Sequence, residues 1–244
     1  MTYCVGIKVN DGLVFASDSR TNAGVDRFSI FRKMFVFDHP GNRIYVLVTA
    51  GNLSITQSVV SLLQRQSSDT SADHDLMKAQ SMFAAARIVG RAMRDVQERD
   101  GRAIKAEGVD HDASIIFGGQ VGDGRTRLYQ IYTPGNFVEA TDDTPYFQIG
   151  EVKYGKPVLD RIITPETSLI DAAKCALISF DSTMRSNLSV GPPIDVLLYN
   201  ADSLKIGHRA CLDADDPYFS ALSNRWGASL NKAFQDIDPP NWSL

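Results

Sequence analysis

The sequence predicts an α+β fold: a four-layer α-β-β-α sandwich in which two stacked antiparallel sheets lie between helical layers. Three observations carry that reading. Strands come as hairpin pairs joined by short turns, which favours antiparallel sheets over a doubly wound parallel one. Segment 43–49 puts Ile44, Val46 and Val48 on one face and Tyr45 and Leu47 on the other, so both faces of its sheet need cover. Helical segments fall in pairs between the strand groups and supply the covering layers. The chain has 244 residues, 43% of them apolar. A chain of that size buries roughly 70–75% of its unfolded surface on folding, enough for a core without staples. No linker, repeat or low-complexity run divides it, so residues 1–244 are expected to form a single domain.

The elements follow in order. Residues 3–9 and 12–18 read as two strands, because Val5, Ile7 and Val9 alternate with smaller or polar residues and Asn10-Asp11-Gly12 supplies the turn. Residues 34–38 and 43–49 form a second hairpin across His39-Pro40-Gly41-Asn42. Ala50-Gly51-Asn52 breaks to a helix with Ile55, Val59, Leu62 and Leu63 at helical spacing. Residues 67–75 are Ser/Asp-rich and loop-like. Residues 76–99 form the longest helical pattern, with Ala79, Met82, Phe83, Ala86, Val89, Met93 and Val96 on one stripe. Residues 113–119 and 127–132 return to strand, and 137–140 and 146–149 carry weaker strand signals. A short helix is expected over about 151–161. A longer one opens at Ser168, with Asp171 three residues on as a capping box. Residues 194–199 and 204–211 make a last strand pair. Asp216 before Pro217 starts a final helix with Phe219, Leu222, Trp226 and Leu230 on one side.

Composition excludes several classes. Lys plus Arg is 25 against 29 Asp plus Glu, a net charge of −4, which argues against a duplex-binding protein with its basic face. Cys4, Cys175 and Cys211 are too few and too scattered for a disulfide framework or a zinc knuckle, and read as buried thiols. The start, Met-Thr-Tyr-Cys-Val-Gly-Ile, shows no basic segment leading into an apolar one, and no run approaches the ~18 apolar residues of a membrane span. A cytoplasmic protein, away from membranes and nucleic acid, is expected.

Familiar catalytic motifs are missing. There is no Gly-x-Ser-x-Gly elbow, no phosphate-binding Walker loop and no metal-spaced His pair; His39, His74, His111 and His208 are dispersed. Gly119–Gly124 lies between two strands and reads as a hairpin turn, since phosphate loops lead into helix amino termini. The amino-terminal region is left. If Met1 is removed, Thr2 carries a nucleophile and a base on one frame: its Oγ, and an α-amine whose ordinary pKa lies near ~7.7–8.0. An amine titrating near cytosolic pH suits general-base work, and a nearby cation favours the developing alkoxide. Taken alone, Thr2 reads as an ordinary residue behind a start Met, Asp18 as a turn former and Lys33 as an edge-strand charge.

Together they read differently. Asp18 closes the second strand in Ala16-Ser17-Asp18-Ser19-Arg20-Thr21, Lys33 precedes an apolar strand in Phe31-Arg32-Lys33-Met34, and Gly51 sits at the strand-to-helix break. In this order and spacing the chain resembles the proteasome β-subunit family of amino-terminal-nucleophile (Ntn) hydrolases. The stretches Gly150-Glu151-Val152-Lys153-Tyr154-Gly155-Lys156-Pro157 and Ser182-Thr183-Met184-Arg185-Ser186-Asn187-Leu188-Ser189 are similar to its bacterial ancestral β-subunit (Anbu) branch.

The resemblance implies roles. Thr2 is the nucleophile with its own amine as base. Lys33 lowers the Thr2 hydroxyl pKa, Asp18 pairs with Lys33, and the Gly51 N–H stabilises the oxyanion. Thr21, Phe31, Thr49 and Leu53 line the substrate pocket. The chain also departs from the family. Glu151 follows Gly150 where the family has a Ser, and Asn187, Ser189 and Val190 stand where it has an Asp and a Ser before a Gly. Ser186, Asn187 and Ser189 are the candidates to replace that support. The implied function is a threonine peptidase in a homo-oligomeric ring or helical stack, acting on peptide or protein substrates without a metal or organic cofactor. An Ntn amidohydrolase of small amides or unusual peptides is the alternative, and a catalytically silent scaffold subunit is the second.

Overall fold

The structure, a computed structural model, describes residues 2–22, 28–68 and 74–242. Apolar alternation sets the strands. β1 (Tyr3–Val9) and β2 (Gly12–Asp18) pair antiparallel with Cys4 opposite Ser17 and Val9 opposite Gly12. β2 also pairs with β11 (Ile194–Asn200), which pairs with β12 (His208–Leu212); β10 (Tyr146–Gly150) flanks β1, giving the order β10-β1-β2-β11-β12. The second sheet runs β5 (Met34–His39), β6 (Arg43–Gly51), β7 (Ala113–Val121), β8 (Arg127–Ile131), β9 (Phe137–Glu139), each neighbour antiparallel.

Three packed clusters fix the layers. Cys4, Leu13, Phe15 and Leu197 of the first sheet meet Ile44, Val46, Val48, Ile116 and Leu128 of the second. On the far side of the first sheet, Tyr3, Val5, Ile7, Val14 and Val196 pack on α4 (Lys156–Ile162), α5 (Leu169–Ser186) and α6 (Pro217–Gln235). On the far side of the second, Tyr45, Leu47, Ile115, Phe117 and Tyr129 pack on α1 (Leu53–Ser68) and α2 (Met82–Val96). The result is the expected α-β-β-α sandwich, and the two-faced reading of 43–49 holds. Each wholly buried Ile, Val or Phe of these clusters contributes roughly 1.5–3 kcal/mol relative to exposure.

Local chemistry moves several boundaries. The pattern over 76–99 is not one helix. Asp75 caps a 3₁₀ turn at Leu76–Lys78 and Ser81 caps α2, each side chain accepting a backbone N–H, so two starts lie within seven residues. Phe83 of the expected stripe is exposed. Past Val96 the chain continues through a π-turn, Gln97–Gly101, into α3 (Arg102–Ala106). The helix expected over 151–161 starts only at Lys156, with Pro157 in its first turn, because 151–155 are used in a turn. The last strand begins at His208 rather than 204: Leu204 sits at φ +46 and the Ser203 hydroxyl donates to the carbonyls of Asn200 and Lys205. Two short strands, β3 (Arg20–Asn22) and β4 (Phe28–Ile30), form a separate two-stranded ribbon that the sequence did not announce. Ser168 caps α5 and Asp216 caps α6 as expected.

Cys4 and Cys175 are buried, but Cys211 on the edge strand β12 is exposed, which corrects the reading of three buried thiols. Burial pushes the Cys4 thiol up and the Cys175 thiol up to about 12. Partial burial, then Asp195 and Asp213, raise Cys211 as well. Alkylation of the folded protein with iodoacetamide is therefore expected to add one label, slowly, at Cys211. Cys4 and Cys175 should react only after denaturation, as intact mass will show. No helix of the described residues is long and apolar enough to cross a membrane.

Candidate active site

The ends of four strands converge at one point. Asp18, the last residue of β2, is fully buried. Its Oδ1 accepts from the Tyr3 amide at 3.0 Å and from Lys33 Nζ at 2.8 Å. Lys33 is 3% exposed and also donates to the Arg20 carbonyl at 2.6 Å. Burial pushes the Asp18 carboxyl above its ordinary range, while the Lys33 charge, the Lys33 hydrogen bond and the Tyr3 amide pull it back. Asp18 Oδ2 and Ser17 Oγ are buried without a hydrogen-bond partner. A buried pair of this kind contributes little net stability, because desolvation offsets the Coulomb attraction; its effect is to fix positions. Here it fixes a cation on the same carboxylate oxygen that holds the amide of Tyr3, the residue after Thr2.

The same neighbourhood receives the end of β6. The Thr49 amide donates to the Lys33 carbonyl at 3.0 Å, and Cys4 Sγ donates to the Thr49 carbonyl at 3.5 Å, which ties β1, β5 and β6 together. Amides alternate in direction along a strand, so the Gly51 N–H lies on the same side of β6 as the Thr49 N–H, toward Lys33. Gly51 has φ +101, and a Cβ there would lie 2.2 Å from the Asp112 carbonyl oxygen. Gly51→Ala is accordingly expected to cost at least ~1–3 kcal/mol of stability through backbone strain, visible as a lowered melting temperature.

Thr2 is half-buried just before β1. Its carbonyl accepts from the Glu151 amide at 2.7 Å. Gly150, at φ +85, makes the approach possible, since a Cβ on it would sit 2.0 Å from that carbonyl. Glu151 is itself buried, and its Oε2 accepts from Asn187 Nδ2 at 3.0 Å. Asn187 Oδ1 in turn accepts from the Ser189 amide at 3.0 Å.

The structure thus brings Thr2, Asp18 and Lys33 together and directs Gly51 to the same side. Asn187 and Ser189 join them through Glu151. Ser186, the last residue of α5, is exposed, and no described hydrogen bond links it to this group. The Phe31 amide donates to the Ser19 carbonyl at 2.9 Å, so Phe31 and Thr49 flank the ion pair. Thr21 on β3 and Leu53 at the start of α1 are half-buried. Glu151, seen in the sequence only as a departure from a pattern, is the residue bonded to Thr2. Its signal was the glycine before it, which a close backbone approach requires. Among the described residues no group of three His, Cys, Asp or Glu side chains could hold a metal.

A threonine at position 2 next to a buried Lys–Asp pair, on two stacked sheets between helices, points to a class. The chain matches the proteasome-subunit family over residues 2–198 and belongs to it. Within that family its likeness is to Anbu proteins. It is 47% identical to Anbu from Hyphomicrobium sp. strain MC1, with TM-score 0.92 over 99% of this chain and 100% of that one. It is 47% identical to Anbu, the ancestral β-subunit, from Yersinia bercovieri, with TM-score 0.91 over 100% of both. It is 48% identical to a chain of the helical assembly of the Anbu complex from Pseudomonas aeruginosa, with TM-score 0.92 over 98% of this chain and 99% of that one. No curated protein matches the chain. The resemblance read from the sequence is borne out at the level of family and fold.

Proposed function

We propose that the chain is a threonine peptidase of proteasome type, active once Met1 is removed, and that residues 1–244 act as one domain. The supporting observation is the buried Lys33–Asp18 pair, held on the Tyr3 amide directly beside Thr2. The Thr2 α-amine takes the hydroxyl proton as Oγ attacks the amide carbonyl. Lys33 favours the developing oxygen charge, and Asp18 keeps the ammonium in place. The Gly51 N–H receives the oxyanion, a kind of donor whose loss typically costs ~10²–10³ in rate. The C–N bond then breaks, the α-ammonium gives its proton to the leaving amine, and an ester remains on Oγ. Water, deprotonated by the same amine, attacks the ester carbon; the C–Oγ bond breaks, the acid leaves, and the α-ammonium returns its proton to Oγ. Thr21, Phe31, Thr49 and Leu53 offer an uncharged pocket for the substrate side chain.

We also propose homo-oligomeric assembly, as a ring or a helical stack, in the cytoplasm. The helical assembly of the Pseudomonas aeruginosa relative supports it. So do the exposed apolar side chains of Leu230, Phe234, Ile237 and Trp242 along α6 and the segment after it, since such exposure marks interaction surfaces. Sedimentation is expected to give a species far larger than one chain; a monomer at all concentrations would contradict assembly.

The test of the activity is a panel of short fluorogenic peptides and simple acyl amides, run on protein with a free Thr2. Thr2-dependent release from the peptides supports the peptidase. Release from the small amides alone would favour an Ntn amidohydrolase. Silence on both would favour a scaffold subunit.

A further inference from the structure

Glu151 is a buried carboxyl group with no cationic partner among the described residues. It is 8% exposed. Its carboxylate accepts from Asn187 Nδ2 at 3.0 Å and from the Lys153 amide at 3.5 Å. No Lys, Arg or His side chain among the described residues forms an ion pair with it. A carboxylate withdrawn from water is costly unless it is paired, so a position like this calls for a positive partner.

The backbone says where that partner arises. The Glu151 amide holds the Thr2 carbonyl at 2.7 Å, and the pairing of Tyr3 with Gly150 places Glu151 opposite Thr2. Glu151 stands in the bend just past the last paired residue of β10, so its amide bond to the Thr2 carbonyl keeps the two residues adjacent. Removal of Met1 creates an ammonium on Thr2 itself, two bonds from the carbonyl carbon whose oxygen accepts from the Glu151 amide.

We propose that Glu151, braced by Asn187, is a positioning residue that serves as countercharge to the Thr2 α-amine. This rests on the reading of Thr2 as the nucleophile. The carboxyl group stands on the turn between β10 and α4, and its brace is a neutral Asn at the end of α5. The consequence for the base is direct. An adjacent anion favours the ammonium and raises the amine's basicity. Asp18 acts in the same direction through the Tyr3 amide, and Lys33 acts against both. Other charged residues near this end of the sheet, among the described residues, include Arg20, whose carbonyl accepts from Lys33, Lys153, whose amide donates to Glu151, and Asp195, which accepts from Ser19 Oγ at 3.5 Å.

The test reads the amine and needs no turnover. Full-length protein with a free Thr2, produced by cleaving an amino-terminal tag, is labelled with acetic anhydride across a pH series. The terminal peptide is then quantified by mass spectrometry. Wild type is expected to titrate above the ordinary ~7.7–8.0 of an α-amine. Glu151→Gln should lower that value by about one unit, the lower end of the range for a close opposite charge. Glu151→Asp, which keeps the charge, should restore most of it. Should Glu151→Gln fail to fold, Asn187→Ala, which frees the carboxylate from its brace, should move the value the same way by less. A value unchanged in Glu151→Gln, or in Asn187→Ala where only that variant folds, overturns the role of Glu151 even where turnover depends on Thr2. A shifted amine in a protein that turns over nothing supports the role of Glu151 and removes the peptidase reading instead.

Discussion

Lys33→Ala is expected to lose both activity and stability, and the two losses have different signatures. Turnover should fall at least ~10²-fold, because the cation favouring the Thr2 alkoxide is gone. Stability should fall by roughly 3–5 kcal/mol, because Asp18 is left buried with only the Tyr3 amide on its Oδ1. The sign with pH follows from the direction of the Asp18 shift. Burial already holds its folded pKa above the unfolded one, and loss of Lys33 raises it further. A carboxyl shifted up is protonated in both states at acid pH and contributes no penalty there. As pH rises past the wild-type folded value toward that of the variant, the variant alone keeps losing stability. Urea unfolding should therefore show a small gap between variant and wild type near pH 4 and a wide one near pH 7.5. A paired replacement, Asp18→Asn with Lys33→Met, removes both charges. It should recover most of the stability while turnover stays low. Unaltered turnover in Lys33→Ala would remove Lys33 from the mechanism.

Thr2→Ala should have the larger effect on catalysis and almost none on the fold. Loss of a covalent nucleophile can cost on the order of 10⁶ in kcat in comparable hydrolases. The structural contribution of Thr2 runs through its backbone, the carbonyl bonded to Glu151, which alanine retains. Stability is thus expected to stay within ~0.5 kcal/mol of wild type, as for substitutions outside the core. Thr2→Ser keeps an oxygen and an amine and should retain part of the activity. Steady-state turnover beside thermal unfolding of the three proteins checks this directly.

Much of the fold was legible because its signals are local. Alternation in 3–9, 12–18 and 43–49 gave the strands and their faces, and Ser168 and Asp216 marked two helix starts by their capping chemistry. The pattern over 76–99 misled because apolar period says nothing of a second cap, Ser81, lying inside it six residues after the one at Asp75. Arg20–Asn22 and Phe28–Ile30 are three residues each, too short for a periodic signal. Leu204 escaped because its left-handed backbone is imposed by a turn in which Gln120, from another sheet, accepts the Asp202 amide and the Tyr199 hydroxyl.

The candidate site divides the same way. Thr2, Asp18, Lys33 and Gly51 read singly as ordinary residues and stood out only because their order and spacing resemble the proteasome β-subunit family. Glu151 did not, because its place depends on a turn at Gly150 that carries its side chain to Asn187, 36 residues on at the end of α5. Such a contact comes from the turn after β10 meeting the end of α5, and the glycine at 150 marks only that a close approach occurs there.

The central claim is that Thr2, freed of Met1, is a reactive nucleophile. The most direct measurement is the intact mass of the protein after exposure to a peptide electrophile that captures terminal threonines, with fragmentation to locate the adduct. A chain lacking Met1, one adduct on Thr2, and no adduct in Thr2→Ala are expected. A chain that keeps Met1 in its native cell, or a free Thr2 that takes up no electrophile while the fold is intact, would contradict it.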